Sequence, residues 1–327
     1  MRNQSVAVAD KGPNGVSSGF DRKFGWTVYG ALLLALLLST WLHHARPRIL
    51  NVPDNLAVGS WERPALEQSI LAERLSAAQR SELLSTGVPQ GADLSLQFAA
   101  DAFILLLGWL CFRHALRHYG FWMASCFLVG SLVFTGLEES LWILAGRFLG
   151  GTIQNPLGEP VTGTYWFSRG GFWFLETPLT ACVGWFFIAY ACVLTAGRVF
   201  PRLNLWARAA AGGLIAMTID LWMDPVQTAP EILAWVWGKG DVLLLFGIPH
   251  YNFLGWFLLI FVFAVFWERL PRMETRLGRA GATCRFFALV LSAPFAILLG
   301  IWAWLVLLGE LFSLLGVQAA IRLPSGW

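Results

Sequence analysis

The chain has 327 residues, of which 57% are hydrophobic and 13% are charged, and its formal net charge is +3. Because soluble domains carry about 25% charged residues, this composition excludes a soluble domain and a disordered chain and predicts an integral membrane protein. The basic residues are dispersed, so they form no nucleic-acid-binding face, and the five cysteines lack the spacing of a disulfide framework or a zinc site.

Long apolar runs predict an all-α fold, a polytopic membrane helix bundle of about seven transmembrane helices. A helix needs about 20 apolar residues to cross the hydrocarbon core, where its backbone groups are bonded internally. The first run, 24–42, follows a polar N-terminus, 1–23, that shows no cleavable signal. The other runs are 96–112, 121–145, 172–196, 205–222, 251–267 and 284–308.

Lys and Arg residues are divided unequally between the two sides of this bundle. The N-terminus and the loops 113–120, 197–208 and 268–285 hold fourteen of them, and the opposite side holds nine. Since cytoplasmic loops carry the excess of basic residues, we expect a cytoplasmic N-terminus and a C-terminal tail, 313–327, on the outer side. The protein would then be a multi-pass protein of a bacterial cytoplasmic membrane.

A polar segment, 43–95, separates the first span from the rest. Within it, residues 54–90 have apolar positions at helical spacing, which predicts an amphipathic helix outside the bilayer. Residues 96–312 follow as a six-helix membrane core that carries the candidate site. In this core, 150–171 is interpreted as a connecting loop with a short hairpin, and no internal repeat is evident.

Ionisable side chains interrupt the spans. An Asp at membrane depth costs about 2.5 to 3.5 kcal/mol on insertion scales unless it is paired or faces water, so each such residue marks a candidate functional site. In the predicted orientation, all of the acids fall in the outer half of the membrane. The residues concerned are Asp101, Glu138, Glu139, Glu176, Asp220 and Asp224, with His250 and Asn252 at the start of the sixth span.

The adjacent glutamates and the aspartate pair have alternative interpretations. Glu138 and Glu139 point about 100° apart on a helix, so they cannot both face one cavity. Asp220 and Asp224 share a helix face, but Pro225 disfavours helical geometry at Asp224, which could simply cap or end the helix.

Two further acids also have structural alternatives. Glu176 precedes Pro178 by two residues and could mark a helix start, and Asp101 is more often an interfacial residue than a ligand.

A family resemblance rests on residues 220–256, which read DLWMDPVQTAPEILAWVWGKGDVLLLFGIPHYNFLGW. The elements DLxxDP, WxW and GIPxxNFxGW, in this order and spacing, resemble the carotenoid biosynthesis membrane proteins. That family includes the carotenoid 1′,2′-hydratases acting on lycopene or γ-carotene and the hydratases of bacterioruberin synthesis. Looser support comes from TYWF at 164–167, from Pro178 and from the membrane glutamates.

The resemblance implies that a terminal ψ-end double bond of a carotenoid is hydrated to a tertiary alcohol, a hydro-lyase reaction that needs no metal or cofactor. Asp220, Glu138 or Glu139 would donate the proton, since a desolvated carboxyl stays neutral until it donates. Asp224 would place the water. Asn252 would orient the water or a carboxyl, because an amide both donates and accepts.

Aromatic residues would stabilise the carbocation, at about 0.5 to 2 kcal/mol for each ring. An aromatic belt at the membrane interfaces explains only part of the eighteen Trp residues. The candidates for contact with the substrate are Trp222, Trp235, Trp237 and Trp256, together with Tyr165, Glu176, Pro249 and His250. The expected partners are this polyene lipid, the bilayer and other enzymes of the carotenoid pathway.

Two alternative functions share some of these features. A small polytopic lycopene cyclase also begins by protonating a ψ-end, but a neighbouring double bond then quenches the cation. A proton-coupled transporter would use the acids as a proton relay, although such carriers usually contain repeats and paired broken helices. The mass of the product separates hydration from cyclisation, because only hydration adds a water molecule.

Overall fold

The computed structural model describes residues 19–45, 94–148, 153–154, 160–161, 165–167, 171–227, 234–237, 244–246 and 248–316. The amphipathic helix predicted at 54–90 lies outside these residues. Helices dominate the described part, as the all-α prediction requires. They are α1 (Gly19–Ala45), α2 (Leu94–Phe148), α3 (Leu179–Val199), α4 (Leu205–Gln227) and α5 (His250–Leu314).

Four of these helices contain stretches that are long and apolar enough to cross a membrane: Gly19–Leu42, Ala99–Ala145, Leu179–Val199 and His250–Leu311. Such helices are consistent with an integral membrane protein. The count of seven spans and the cytoplasmic N-terminus stay predictions.

Two of the helices fold back on themselves at a glycine. Gly120 in α2 has φ 75° and ψ 172°, and Gly278 in α5 has φ 68° and ψ 170°. Only glycine adopts this backbone region readily. In α5, Ile301 Cδ1 lies beside Gly255, and these two residues are equally far from Gly278 along the chain, so the two arms run antiparallel.

The two glycine breaks lie at the same end of the bundle. Trp122, just after the first break, donates its indole N–H to Thr283 Oγ1 at 2.9 Å, just after the second. Helix α1 begins at this end as well, because Arg279 Nη1 lies 3.1 Å from Asp21 Oδ1.

Among the residues that the structure describes, eight short strands form four two-stranded antiparallel sheets in the connections between the helices. Strands β1 (Ile153–Gln154) and β2 (Pro160–Val161) form the hairpin expected in the loop 150–171. The other strands are β3 (Tyr165–Phe167), β4 (Trp173–Phe174), β5 (Thr177–Pro178), β6 (Trp235–Trp237), β7 (Leu244–Leu245) and β8 (Ile248–Pro249). Strands β4 and β5 form a hairpin directly before α3, and β7 and β8 form one directly before α5.

Two helix boundaries differ from the predictions. The apolar run 172–196 was expected to be one span, but its first residues form the β4–β5 hairpin and the helix begins at Leu179, after the extended Pro178. Helix α4, in contrast, continues through Pro225 to Gln227 and keeps Asp224 helical. In the last turn, proline removes only one backbone hydrogen bond, which the helix tolerates.

An internal repeat, which was not expected, organises the core. The described residues between 121 and 199 form a first half, and those between 205 and 277 form a second half. In each half a helix is followed by a short strand, a hairpin and another helix. The strands of the two halves, β3 and β6, pair with each other antiparallel.

The hairpins of the two halves share their geometry. The first loop residue has φ 54° in both, at Leu175 and at Phe246. An extended proline then precedes each helix, Pro178 with ψ 143° and Pro249 with ψ 130°. The sequences that follow, PLTACVGW and PHYNFLGW, both place Gly-Trp at the same distance from the proline.

We predict that Gly120→Ala lowers the apparent melting temperature of the purified protein in detergent by several degrees. No atom lies within 4 Å of the position that a Cβ would occupy, so the effect comes from the backbone alone, and strain in this region amounts to about 1 to 3 kcal/mol. The control is Gly300→Ala, which also meets no neighbouring atom but has no positive φ. If both variants melt at the same temperature, the break at Gly120 is not a structural requirement.

Candidate active site

The centre of the candidate site is a pair of buried aspartates on α4. Asp220 and Asp224 lie one helical turn apart and are 0% and 2% exposed. Asn252, in the first turn of α5, donates from Nδ2 to Asp220 Oδ2 at 2.7 Å and to Asp224 Oδ2 at 2.9 Å. One amide group therefore holds two carboxyl groups in place.

The two carboxyl groups also lie within hydrogen-bonding reach of each other. A hydrogen bond between two carboxyls requires a proton on one of them, and two adjacent unpaired charges would be costly in an apolar interior. The second oxygen of Asp220, Oδ1, is buried and has no hydrogen-bond partner in the described part of the chain. A buried polar atom of this kind is available to a bound molecule.

A third carboxyl group approaches the pair from the second arm of α2. Glu139 accepts a hydrogen bond at Oε1 from Trp185 Nε1, at 2.7 Å. It interacts electrostatically with Asp220 and with Asp224. Of the two adjacent glutamates, the structure thus brings Glu139 to the aspartates, while Glu138 is buried beside it.

Two tryptophan rings pack against each other at this site. Trp185 on α3 and Trp256 on α5 are 6% and 5% exposed, and their ring centroids are 4.1 Å apart. Trp256 was a predicted site residue, but Trp185 was not. A sequence signal for Trp185 exists, because Gly-Trp follows Pro178 at the spacing seen in the GIPxxNFxGW element.

The remaining predicted aromatic residues lie elsewhere. Trp222 is 71% exposed on the surface of α4. Trp235 packs against Phe167, with ring centroids 6.0 Å apart. Tyr165 and Trp237 are backbone partners in the register of the β3–β6 ladder. The structure therefore places these three strand residues in the sheet that joins the two halves.

The other predicted residues belong to the connections and helix ends. Pro249 is buried and precedes α5, and the His250 ring packs against Tyr251 at 5.8 Å. Glu176 is buried in the β4–β5 turn, where its backbone N–H donates to Ser140 Oγ at 3.1 Å. Asp101 is half-buried in the first arm of α2. None of the described residues form a group of three or more side chains suited to hold a metal ion.

We predict that Asp224→Asn leaves the apparent melting temperature in detergent unchanged or raises it. The substitution replaces one of two buried acids, which must share a proton to lie side by side, by an amide that is neutral at any pH, and functional sites commonly trade stability for activity. The comparison variant is Glu268→Gln, which removes the negative charge and one of the two acceptor oxygens that bind Arg208 Nε and Nη2. It should lower the melting temperature, since a hydrogen bond to a charged group contributes about 1.5 to 3 kcal/mol. If both variants have melting temperatures that are lowered by the same amount from the wild-type value, the aspartate pair is a structural element.

Comparison with known proteins identifies the family to which the chain belongs. No curated protein and no solved structure matches the chain. A family model described as "Carotenoid biosynthesis protein" matches residues 100–319. This range is more than half of the chain and includes Glu139, Asp220 and Asp224. The chain belongs to the carotenoid biosynthesis protein family.

Proposed function

We propose that the protein hydrates the terminal ψ-end double bond of an acyclic or monocyclic carotenoid to a tertiary alcohol. The observation that carries this proposal is the pair of buried aspartates bridged by one asparagine, in a chain of a carotenoid biosynthesis family. The polyene would reach the site from a bacterial cytoplasmic membrane, where other enzymes of the pathway make or consume it.

The first step is a proton transfer to carbon. The proton held by the aspartate pair moves to the less substituted alkene carbon, and the π electrons form the new C–H bond. A tertiary carbocation remains on the neighbouring carbon, and the aspartate pair becomes more negative. Asp220 is the proposed donor because its Oδ1 is buried and unpaired among the described residues.

Water then completes the reaction. Its oxygen bonds to the cationic carbon, and one of its protons returns to the aspartate pair, so the acid is regenerated. Asp224 is the proposed group that places this water, while Asn252 keeps both carboxyls in register. The balance is one alkene plus one water giving one alcohol, without any oxidant or reductant.

The surroundings of the pair suit a carbocation intermediate. The faces of Trp185 and Trp256 can stabilise positive charge without bonding to it, and the buried rings keep bulk water out. Glu139 adds a carboxyl group close to the aspartates.

The test is expression in cells that make lycopene, followed by measurement of the pigment masses. We expect a product heavier than its precursor by one water molecule. Asp220→Asn and Asp224→Asn should reduce its formation at least about 100-fold, the lower range for loss of a general acid. Glu139→Gln should reduce it more than Glu138→Gln, which is the matched control because the two residues are adjacent.

Other outcomes would point to other functions. A product of unchanged mass with a new ring would show a cyclase. Unchanged pigments together with uptake driven by a proton gradient in vesicles would show a transporter, and the internal repeat is a feature that transporters often have. Full hydration by both aspartate variants would rule out the proposed acid.

A further inference from the structure

The internal repeat gives the two tryptophans of the site equivalent positions. Trp185 follows Pro178 by seven residues and Trp256 follows Pro249 by seven residues. Both prolines are extended and end a hairpin of the same form, so α3 and α5 start alike. The two rings meet 4.1 Å apart, where the halves face each other.

The carboxyl groups come from the helix that precedes the hairpin in each half. Glu139 lies on the second arm of α2 in the first half, and Asp220 and Asp224 lie on α4 in the second half. The acids are held differently in the two halves. Asn252 holds the aspartates, whereas the corresponding position in the first half is Ala181, which has no donor in its side chain.

The first half supplies its donor one turn further along α3. Trp185 Nε1 donates to Glu139 Oε1 at 2.7 Å. The Trp185 side chain is buried and the Glu139 side chain is half-buried. We infer that Trp185 is a positioning residue, which fixes the Glu139 carboxyl against the aspartate pair through its indole N–H. This inference rests on the proposed function for the reaction it affects.

The ring and the N–H group of Trp185 have different roles. The Trp185 ring packs against Trp256, and its N–H group orients Glu139. Replacement by Phe keeps an aromatic ring and removes the donor. The Glu139 carboxyl then loses its indole partner in a partly buried site and can rotate away from the aspartates, which misplaces a group needed in the transition state.

The experiment is a double-mutant cycle on the full-length protein in membranes, with conversion of a ψ-end carotene as the readout. Trp185→Phe should lower kcat about tenfold or more, as expected for loss of one hydrogen bond to a carboxyl group, while KM changes by less than about twofold. In a Glu139→Leu background, which lacks any acceptor, Trp185→Phe should have little additional effect.

Trp256→Phe is the matched comparison, because Trp256 occupies the equivalent position and its ring is the one that packs against Trp185. The factor by which Trp256→Phe lowers kcat should be the same in the wild-type protein and in the Glu139→Leu background. The inference is wrong if the effects of Trp185→Phe and Glu139→Leu also multiply in full, or if Trp185→Phe raises KM and leaves kcat unchanged.

A second measurement does not depend on the reaction. Ultraviolet resonance Raman spectra contain an indole band that reports hydrogen bonding of the N–H group. Difference spectra between each purified protein and its Trp185→Phe derivative isolate the band of Trp185. We expect this band to shift in Glu139→Leu and to stay in place in Glu138→Leu. An unshifted band in Glu139→Leu would overturn the inference, even if the wild-type protein forms no alcohol.

Discussion

The candidate site is organised around two carboxyl groups that are buried one helical turn apart. Asp220 and Asp224 are inaccessible on α4 and sit among apolar residues, an arrangement that is unfavourable unless the groups share protons and hydrogen bonds. Asn252 supplies two of these bonds from another helix. The position at which α5 begins is therefore as important as the aspartates themselves.

The hairpins determine where the site helices begin. Each hairpin turns at a residue with positive φ and ends at an extended proline, after which the helix can start. In the second half, this start leaves Asn252 three residues after Pro249, within reach of both aspartates. Further along each helix, Gly-Trp brings a ring to the contact between the halves, and β3 and β6 join the halves by backbone pairing. The repeat thus converts two ordinary helix pairs into one enclosed site.

Much of the site could be predicted from the sequence, because charged residues in apolar runs are expensive and therefore informative. Polar side chains at membrane depth point to Asp220, Asp224, Asn252 and the glutamates. Sequence position alone does not predict the site where helix geometry decides the direction of a side chain. Trp222 follows Asp220 by two residues, which is about 200° around a helix, so it faces outward although it is close in sequence.

The tertiary partners could not be predicted by the same reasoning. Trp185 is 46 residues away from Glu139, and nothing local to either residue indicates their hydrogen bond. The repeat was missed because its sequence signal consists of a proline and a Gly-Trp pair. The β1–β2 hairpin also lengthens the loop of the first half, so the helices and strands of the halves are unequally spaced. The equivalence of the two hairpins becomes clear from the positive φ that Leu175 and Phe246 share.

In the proposed reaction, a buried aspartate protonates a carotenoid double bond and water then traps the cation. Both steps are tested together by supplying a ψ-end carotene to membranes that contain the protein, in water enriched in heavy oxygen, and determining the product mass by mass spectrometry. We expect a tertiary alcohol whose new oxygen carries the label, and no such product with Asp220→Asn. A product without labelled oxygen, or a labelled alcohol formed equally well by Asp220→Asn, would contradict the proposed reaction.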